Sequence, residues 1–200
     1  MKAKREQWNY DKGCRVWAGK YKNSHNMPHW HYDCELLYVE KGSLNIFCNQ
    51  HAYKGSAGQA FFIDSEQVHN MHALSEDAVV TVIVFDYDII KPFAEKLVLS
   101  SPLLSGDYKI PELYKNIIRE FRENKQLYNY ALSCLIAELA IKIFRNEATL
   151  PKEKPAHSIK RFKTILTKID ENYEFYDLET AASDMGMNSA YFSRLFHKQN

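Results

Sequence analysis

The 200-residue chain has no apolar run that approaches the length of a bilayer span, so nothing in it reads as a transmembrane helix. It also lacks a charge excess, since 26 Lys and Arg stand against 25 Asp and Glu, a formal net charge of +1. That balance excludes whole-chain attraction to nucleic acid or an anionic membrane, and any such surface has to be local. Cysteine is sparse and unpatterned. Cys14, Cys34, Cys48 and Cys134 show no CxxC spacing, and the opening MKAKREQWNYDKG carries charge without the apolar core of an export signal. The cysteines therefore read as reduced, mostly buried thiols of a cytoplasmic protein. What the chain does contain is hydrophobic residues at 46% and aromatics at 14%, enough to bury a core and exclude disorder. Its length suits one medium domain and a smaller one.

The first half has the pattern of strands. Residues 14–22 (CRVWAGKYK) alternate, with Trp17 as the largest apolar member, and 34–40 (CELLYVE), a Lys41-Gly42 turn and 43–48 (SLNIFC) read as a β-hairpin. Short β segments follow at about 52–54, 60–63 and 67–73, punctuated by Gly55 and Gly58. The β-branched run 78–86 (AVVTVIVFD) reads as a central strand. Strands this dense before any helix predict a barrel or sandwich.

Within this half lies the most informative stretch, from HWHYDCELLYVEKG to FFIDSEQVH. In an extended strand His29, His31 and Glu35 project to one face, because side chains alternate with period 2. With His69 on a facing strand they form either a metal cluster or a polar ligand pocket, with purely structural histidines as the third reading. HxH-x3-E-x6-G, from His29 to Gly42, followed by Gly58 and His69, resembles the two motifs of the cupin superfamily of small antiparallel β-barrels. The resemblance departs at Asn23, Asp64, Glu66 and Ala73, where that family's Gly, Pro, Gly and Asn usually stand. It implies that His29, His31, Glu35 and His69 are candidate ligands for a divalent metal such as Fe, Mn, Ni or Zn, without requiring one. Leu37 and Val39 share their face, and Trp17, Trp30 and Phe47 are aromatics nearby.

After residue 110 the period changes to that of helices. Pro111 suits a first helical residue, and Leu113, Tyr114, Ile117, Ile118 and Phe121 make a one-sided stripe. A polar break at Glu123–Gln126 leads to a helix at about 127–146, striped by Ala131, Leu132, Leu135, Ile136, Leu139, Ala140, Ile143 and Phe144. This stripe is wider than one partner helix needs, so Leu132, Leu135, Leu139 and Ile143 are candidate dimerisation residues, with burial against the barrel as the equal alternative. Residues 147–157 (EATLPKEKPAH) carry two prolines and no periodicity and read as a linker.

Three helical segments are expected beyond it. One spans about 158–172. A second, 177–185, starts at Asp177 as N-cap and stops at Gly186, and a third, Ser189–Gln199, is capped by Asn188 and buries Phe192 and Phe196. LETAASDMGMNSAYFSRLFHK resembles the first helix-turn-helix of the AraC/XylS regulators, through Ala182-x3-Gly186 and Tyr191-Phe192-Ser193-Arg194-x-Phe196. The order of cupin-like barrel, helix pair and helix-turn-helix extends the resemblance over the whole chain.

The resemblance implies an effector-responsive transcription regulator rather than an enzyme. Residues 1–110 are then a cupin-like effector-binding barrel (double-stranded β-helix), 111–146 an antiparallel dimerisation pair, and 158–200 a partial all-α DNA-binding unit, of which the family has two. The chain accordingly reads as a shortened form of a longer protein. Effector-binding candidates are His29, His31, Glu35, Leu37, Val39, His69 and Trp17, and a sugar or similar polar metabolite is the expected effector. Asn188, Ser189, Ala190, Ser193, Arg194 and Lys198 are the DNA-binding candidates, with His197 near phosphate and Arg194 either on a guanine edge or salt-bridged to Asp184. Residues 158–200 hold six basic and six acidic side chains, so residues 1–200 are expected to bind DNA feebly. The expected partners are DNA, a small effector and a second copy of the chain, with no membrane. The competing class is a metal-dependent cupin oxygenase or isomerase with an accessory helical tail.

Overall fold

A computed structural model describes residues 3–11, 13–49, 51–152, 177–185, 188–190 and 193. The chain divides into two compact units, Met1–Lys152 and Glu153–Asn200. The first is mostly β. Its strands are β1 (Lys4–Arg5), β2 (Val16–Lys22), β3 (His29–Trp30), β4 (Cys34–Lys41), β5 (Ser43–Cys48), β6 (His51–Ser56), β7 (Ala60–Ile63), β8 (His69–Ala73) and β9 (Val79–Phe85). A short helix α1 (Lys91–Ala94), strand β10 (Leu97–Leu99), helices α2 (Ile110–Glu123) and α3 (Tyr128–Asn146), and strand β11 (Thr149–Pro151) complete it.

Among the described residues two large sheets are formed, in strand orders β2-β9-β4-β7 and β1-β3-β8-β5-β6, antiparallel apart from the β1–β3 pair, beside the small β10-β11 pair. β9 is central, as its β-branched run predicts, flanked by β2 and β4. Side chains of alternate parity on the four-stranded sheet build two separate cores. Leu37, Val39, Phe61, Ile63, Val80, Val82 and Val84 point inward and meet Leu44, Ile46 and Met71 of the other sheet. Leu36, Phe62, Ile83 and Phe85 point outward and meet Ile117 of α2 and Leu132, Ile136, Leu139 and Ile143 of α3. Burial on both faces explains why β4 and β9 read as nearly continuous apolar runs.

Three expectations are corrected. β4 and β5 are not a hairpin but belong to different sheets, because β4 pairs with β7 and β9 while β5 pairs with β6 and β8. The turn between them is a barrel corner, tight enough that a Cβ on Gly42 (φ +72°) would lie 2.2 Å from Ser75 Oγ. The start of the expected linker is structured, since Thr149–Pro151 pair antiparallel with Leu97–Leu99, and residues 153–157 lie outside the described residues. Of the dimerisation candidates, Leu132, Leu139 and Ile143 are buried against the chain's own sheet and Leu135 packs beside them, so the wide stripe serves the barrel. The exposed apolar residues at the start and on the free face of α3 are instead Leu127, Tyr130 and Ile141. β1, α1 and β10 are additions that no sequence pattern announced, and β3 is a short form of the expected extended segment at His29.

In the second unit, helix α4 (Leu178–Met185) begins where expected, and Asp177 Oδ1 accepts from the Thr180 backbone N–H at 2.8 Å, an N-cap bond. Ser189, Ala190 and Ser193 are helical, and Asn188 precedes them. The expected helix at 158–172, Gly186, and Tyr191, Phe192, Arg194, Phe196, His197 and Lys198 lie outside the described residues.

Candidate metal centre

Four polar side chains end inside the barrel. His29 on β3 stands directly opposite His69 on β8, His31 follows two residues later on the same side, and Glu35 opens the inner face of β4. All four are buried, with 4%, 1%, 2% and 2% of His29, His31, Glu35 and His69 exposed. One ligand atom from each lies within 4.8 Å of the others. The ring centroids of His69 stand 4.2 Å from His29 and 5.0 Å from His31.

The backbone fixes which imidazole nitrogen faces the centre. Nδ1 of His29, His31 and His69 donates to the carbonyls of Met27 (2.9 Å), Asp33 (3.0 Å) and Gln67 (2.8 Å). A carbonyl accepts only, so each Nδ1 carries the proton and each Nε2 is left to accept, ligate or protonate. Glu35 Oε2 lies 3.3 Å from His31 Nε2 and 3.2 Å from His69 Nε2. Neutral imidazoles with this tautomer would turn lone pairs toward the carboxylate, an arrangement that a proton or a cation between them stabilises. Burial pushes the Glu35 carboxyl up, but hydrogen bonds from His31 and His69 outweigh it and hold it well below the carboxylate range. Burial likewise works against charge on His69, yet its bond to Glu35 lifts it above the ordinary value. His29 is lowered, first by burial and then by the charge of His69.

Three imidazoles and one carboxylate fit a divalent first-row cation by donor type, number and tautomer. Two further residues join the centre that no motif marked. Glu6 Oε2 lies 3.7 Å from His29 Nε2. Trp8 meets His31 edge-on at 6.3 Å and Trp17 at 4.9 Å, and its buried Nε1 has no hydrogen-bond partner among the described residues. The only signal was an aromatic beside a carboxylate in an aperiodic N-terminal stretch.

The remaining candidates separate. Trp17 sits on the inner face with Trp8 and also lines a cleft of about 480 Å³ with Tyr10, Phe121 and Tyr128. Leu37 and Val39 are 1% and 0% exposed, so they are packed wall of the inner core rather than open lining. Phe47 faces outward against His72, and Trp30 lies among Tyr32 and Arg5, away from the centre. Of the DNA candidates, Asn188 and Ala190 are exposed and Ser189 and Ser193 half-buried.

A family model described as AraC-like ligand binding domain matches residues 14–140. Among solved structures, KdgF from Halomonas sp. is similar at 21% identity, over 36% of this chain and 68% of that one, with a TM-score of 0.33. Oxalate decarboxylase of Bacillus subtilis, a protein with Mn(II) centres, is similar at 20% identity over 36% of this chain, TM-score 0.33, and the match spans only 21% of its length. An RmlC-like cupin from Shewanella frigidimarina is similar at 19% identity over 36% of this chain and 65% of that one, TM-score 0.31. A search of curated proteins finds no match.

Proposed function

The chain belongs to the family of AraC-like ligand-binding domains, and from that premise we propose that its barrel binds a small polar effector and signals to a DNA-binding segment after residue 152. The observation that carries the reading is the buried convergence of His29, His31, Glu35 and His69 beside the Trp8 N–H, which has no partner among the described residues. Such a centre offers acceptors, a donor and charge to a polar ligand inside an apolar wall that excludes water. A divalent cation held by these four residues would supply a Lewis-acidic anchor for an oxygen of the effector. Trp8 then donates to an acceptor on the ligand, and Leu37 and Val39 hold the Glu35 strand rigid beneath it. A sugar or related polyol has the matching oxygens.

The DNA-binding half rests on the Asp177-capped helix α4 within LETAASDMGMNSAYFSRLFHK. In this reading Arg194 makes the bidentate base contact and Lys198 a phosphate contact. Dimerisation uses the free face of α3 around Leu127, Tyr130 and Ile141. The donor set equally favours a second reading, a metal-dependent oxygenase or isomerase, and turnover of a small oxygenated substrate would select it. The test of the first reading titrates the protein, with and without a polar-metabolite panel, against its own upstream DNA at two salt concentrations. Arg194→Ala is expected to relax preference at one base position by about 1–3 kcal/mol. Lys198→Ala is expected to lower the salt slope by about one without changing preference. DNA affinity that no effector moves, with catalytic turnover instead, would overturn it.

A further inference from the structure

The turn between β7 and β8 ties the centre to the place where the chain leaves the barrel. Asp64 in this turn is buried, 5% exposed, and its Oδ2 pairs with Lys152 Nζ at 2.8 Å across 88 residues. Its Oδ1 accepts from the Ser65 N–H at 2.8 Å, and its own N–H donates to Gln67 Oε1 at 2.9 Å. The same turn then reaches two of the four centre residues. Gln67 O accepts from His69 Nδ1 at 2.8 Å, and the Glu66 N–H donates to the carbonyl of His31 at 2.8 Å.

Lys152 is held from its own side as well. It follows β11 directly, its N–H donates to Lys96 O at 2.9 Å, and its ammonium lies 4.9 Å over the Tyr87 ring. A carboxylate as buried as Asp64 costs several kcal/mol unless it is paired, so the turn and the exit strand hold each other in place. Neither residue belongs to the centre, and neither is needed to build the inner core.

We propose that Asp64 and Lys152 are positioning residues that set the His69 and His31 side of the centre and couple its occupancy to the anchoring of residues 149–152. This rests on the reading of the centre as a binding site. By linkage, whatever tightens ligand at His69 tightens the Asp64–Lys152 pair, and the exit strand passes that bias to the chain continuing at residue 153. The coupling runs through one backbone turn of five residues, 64–68, which needs no movement of the sheets.

The experiment uses the whole chain and Co²⁺ alone, whose visible spectrum reports the coordination sphere. Wild type is expected to bind with a nitrogen–oxygen spectrum and to slow amide exchange at 149–152 on binding. Lys152→Met, which keeps the aliphatic stem over Tyr87, is expected to bind roughly tenfold more weakly with an altered spectrum, the size typical of residues that support metal ligands. Because Lys152→Met strands a buried charge and can unfold the barrel, Asp64→Asn/Lys152→Met is the second variant, with the cap on Ser65 kept. It is expected to bind as weakly and to lose the exchange response, whereas Lys152→Arg restores both. Ile143→Val, which loosens the helix-packed core, should leave the affinity unchanged. Equal affinity, spectrum and exchange in wild type and the double variant would overturn the coupling alone. A wild type that binds no cobalt would overturn the metal-binding version of the centre and the coupling with it.

Discussion

The inner and outer faces of the four-stranded sheet are lined by almost the same side chains. Inward, Leu37, Phe61, Val82 and Val84 close a core whose open end is Glu35. Outward, one residue along in each strand, Leu36, Phe62, Ile83 and Phe85 carry helices α2 and α3. Parity alone separates them, because a shift of one residue exchanges the faces. The outer face is adhesive and carries charge only at its margin, where Lys20 pairs with Glu40 and lies over Tyr114, while the inner face admits one carboxylate because two imidazoles neutralise it. Stability and binding are therefore assigned to opposite sides of the same strands, and changes on one side should leave the other's property intact.

The largest effect is expected on the outer face. Leu132→Ala removes a side chain that is 0% exposed and should cost about 2–5 kcal/mol in denaturant unfolding, with ligand affinity of the folded protein unchanged. Loss of affinity in proportion to stability would break the separation of the faces.

The inner face should show its charge through pH in the metal-free protein. Glu35 lies below its ordinary value, so its contribution is present above roughly pH 4.3 and is lost as pH falls through the lowered folded value. His69 is raised, so its contribution is complete below roughly pH 6.5 and is lost as pH rises through the folded value. His29 is lowered, so its burial costs stability only as pH falls below that same value. Above roughly pH 6.5 the site's slope belongs to His69. Wild type should lose stability there as pH rises, and His69→Gln should flatten that slope in urea titrations at pH 6, 7 and 8.

The same two faces show how far the sequence could be read. Glu35 was legible because it stands on the same parity as both histidines, two alternations from His31 and three from His29, in the HxH-x3-E spacing. His69 was legible by spacing from Gly58. The partition of β4 and β5 between sheets was not, since a Lys-Gly pair marks a hairpin and a barrel corner alike. The width of the α3 stripe was visible, but its cause was not, because a helix that packs on both α2 and a sheet looks like one awaiting a second subunit. Thr149–Pro151 escaped notice since its pairing with Leu97–Leu99 and the Lys152–Asp64 ion pair join residues far apart with no periodic signal. Trp8 escaped for the same reason.

The smallest effect on stability is expected on the third surface, the free face of α3. Tyr130→Glu with Ile141→Glu alters residues that are 66% and 39% exposed and should change unfolding by no more than about 0.5 kcal/mol. In sedimentation the double variant should be monomeric where wild type is dimeric. A wild type monomeric at high concentration would remove this dimer.

The central claim is that His29, His31, Glu35 and His69 form one binding centre. Its most direct test is the count of Mn²⁺ bound by the whole chain, followed by paramagnetic resonance alongside urea unfolding. One ion per chain is predicted, with stabilisation of about 2.7 kcal/mol at a hundredfold excess over the dissociation constant. His31→Ala and Glu35→Gln should each abolish both. Stabilisation that persists in His31→Ala, or manganese bound in equal amount by all three proteins, would contradict the account.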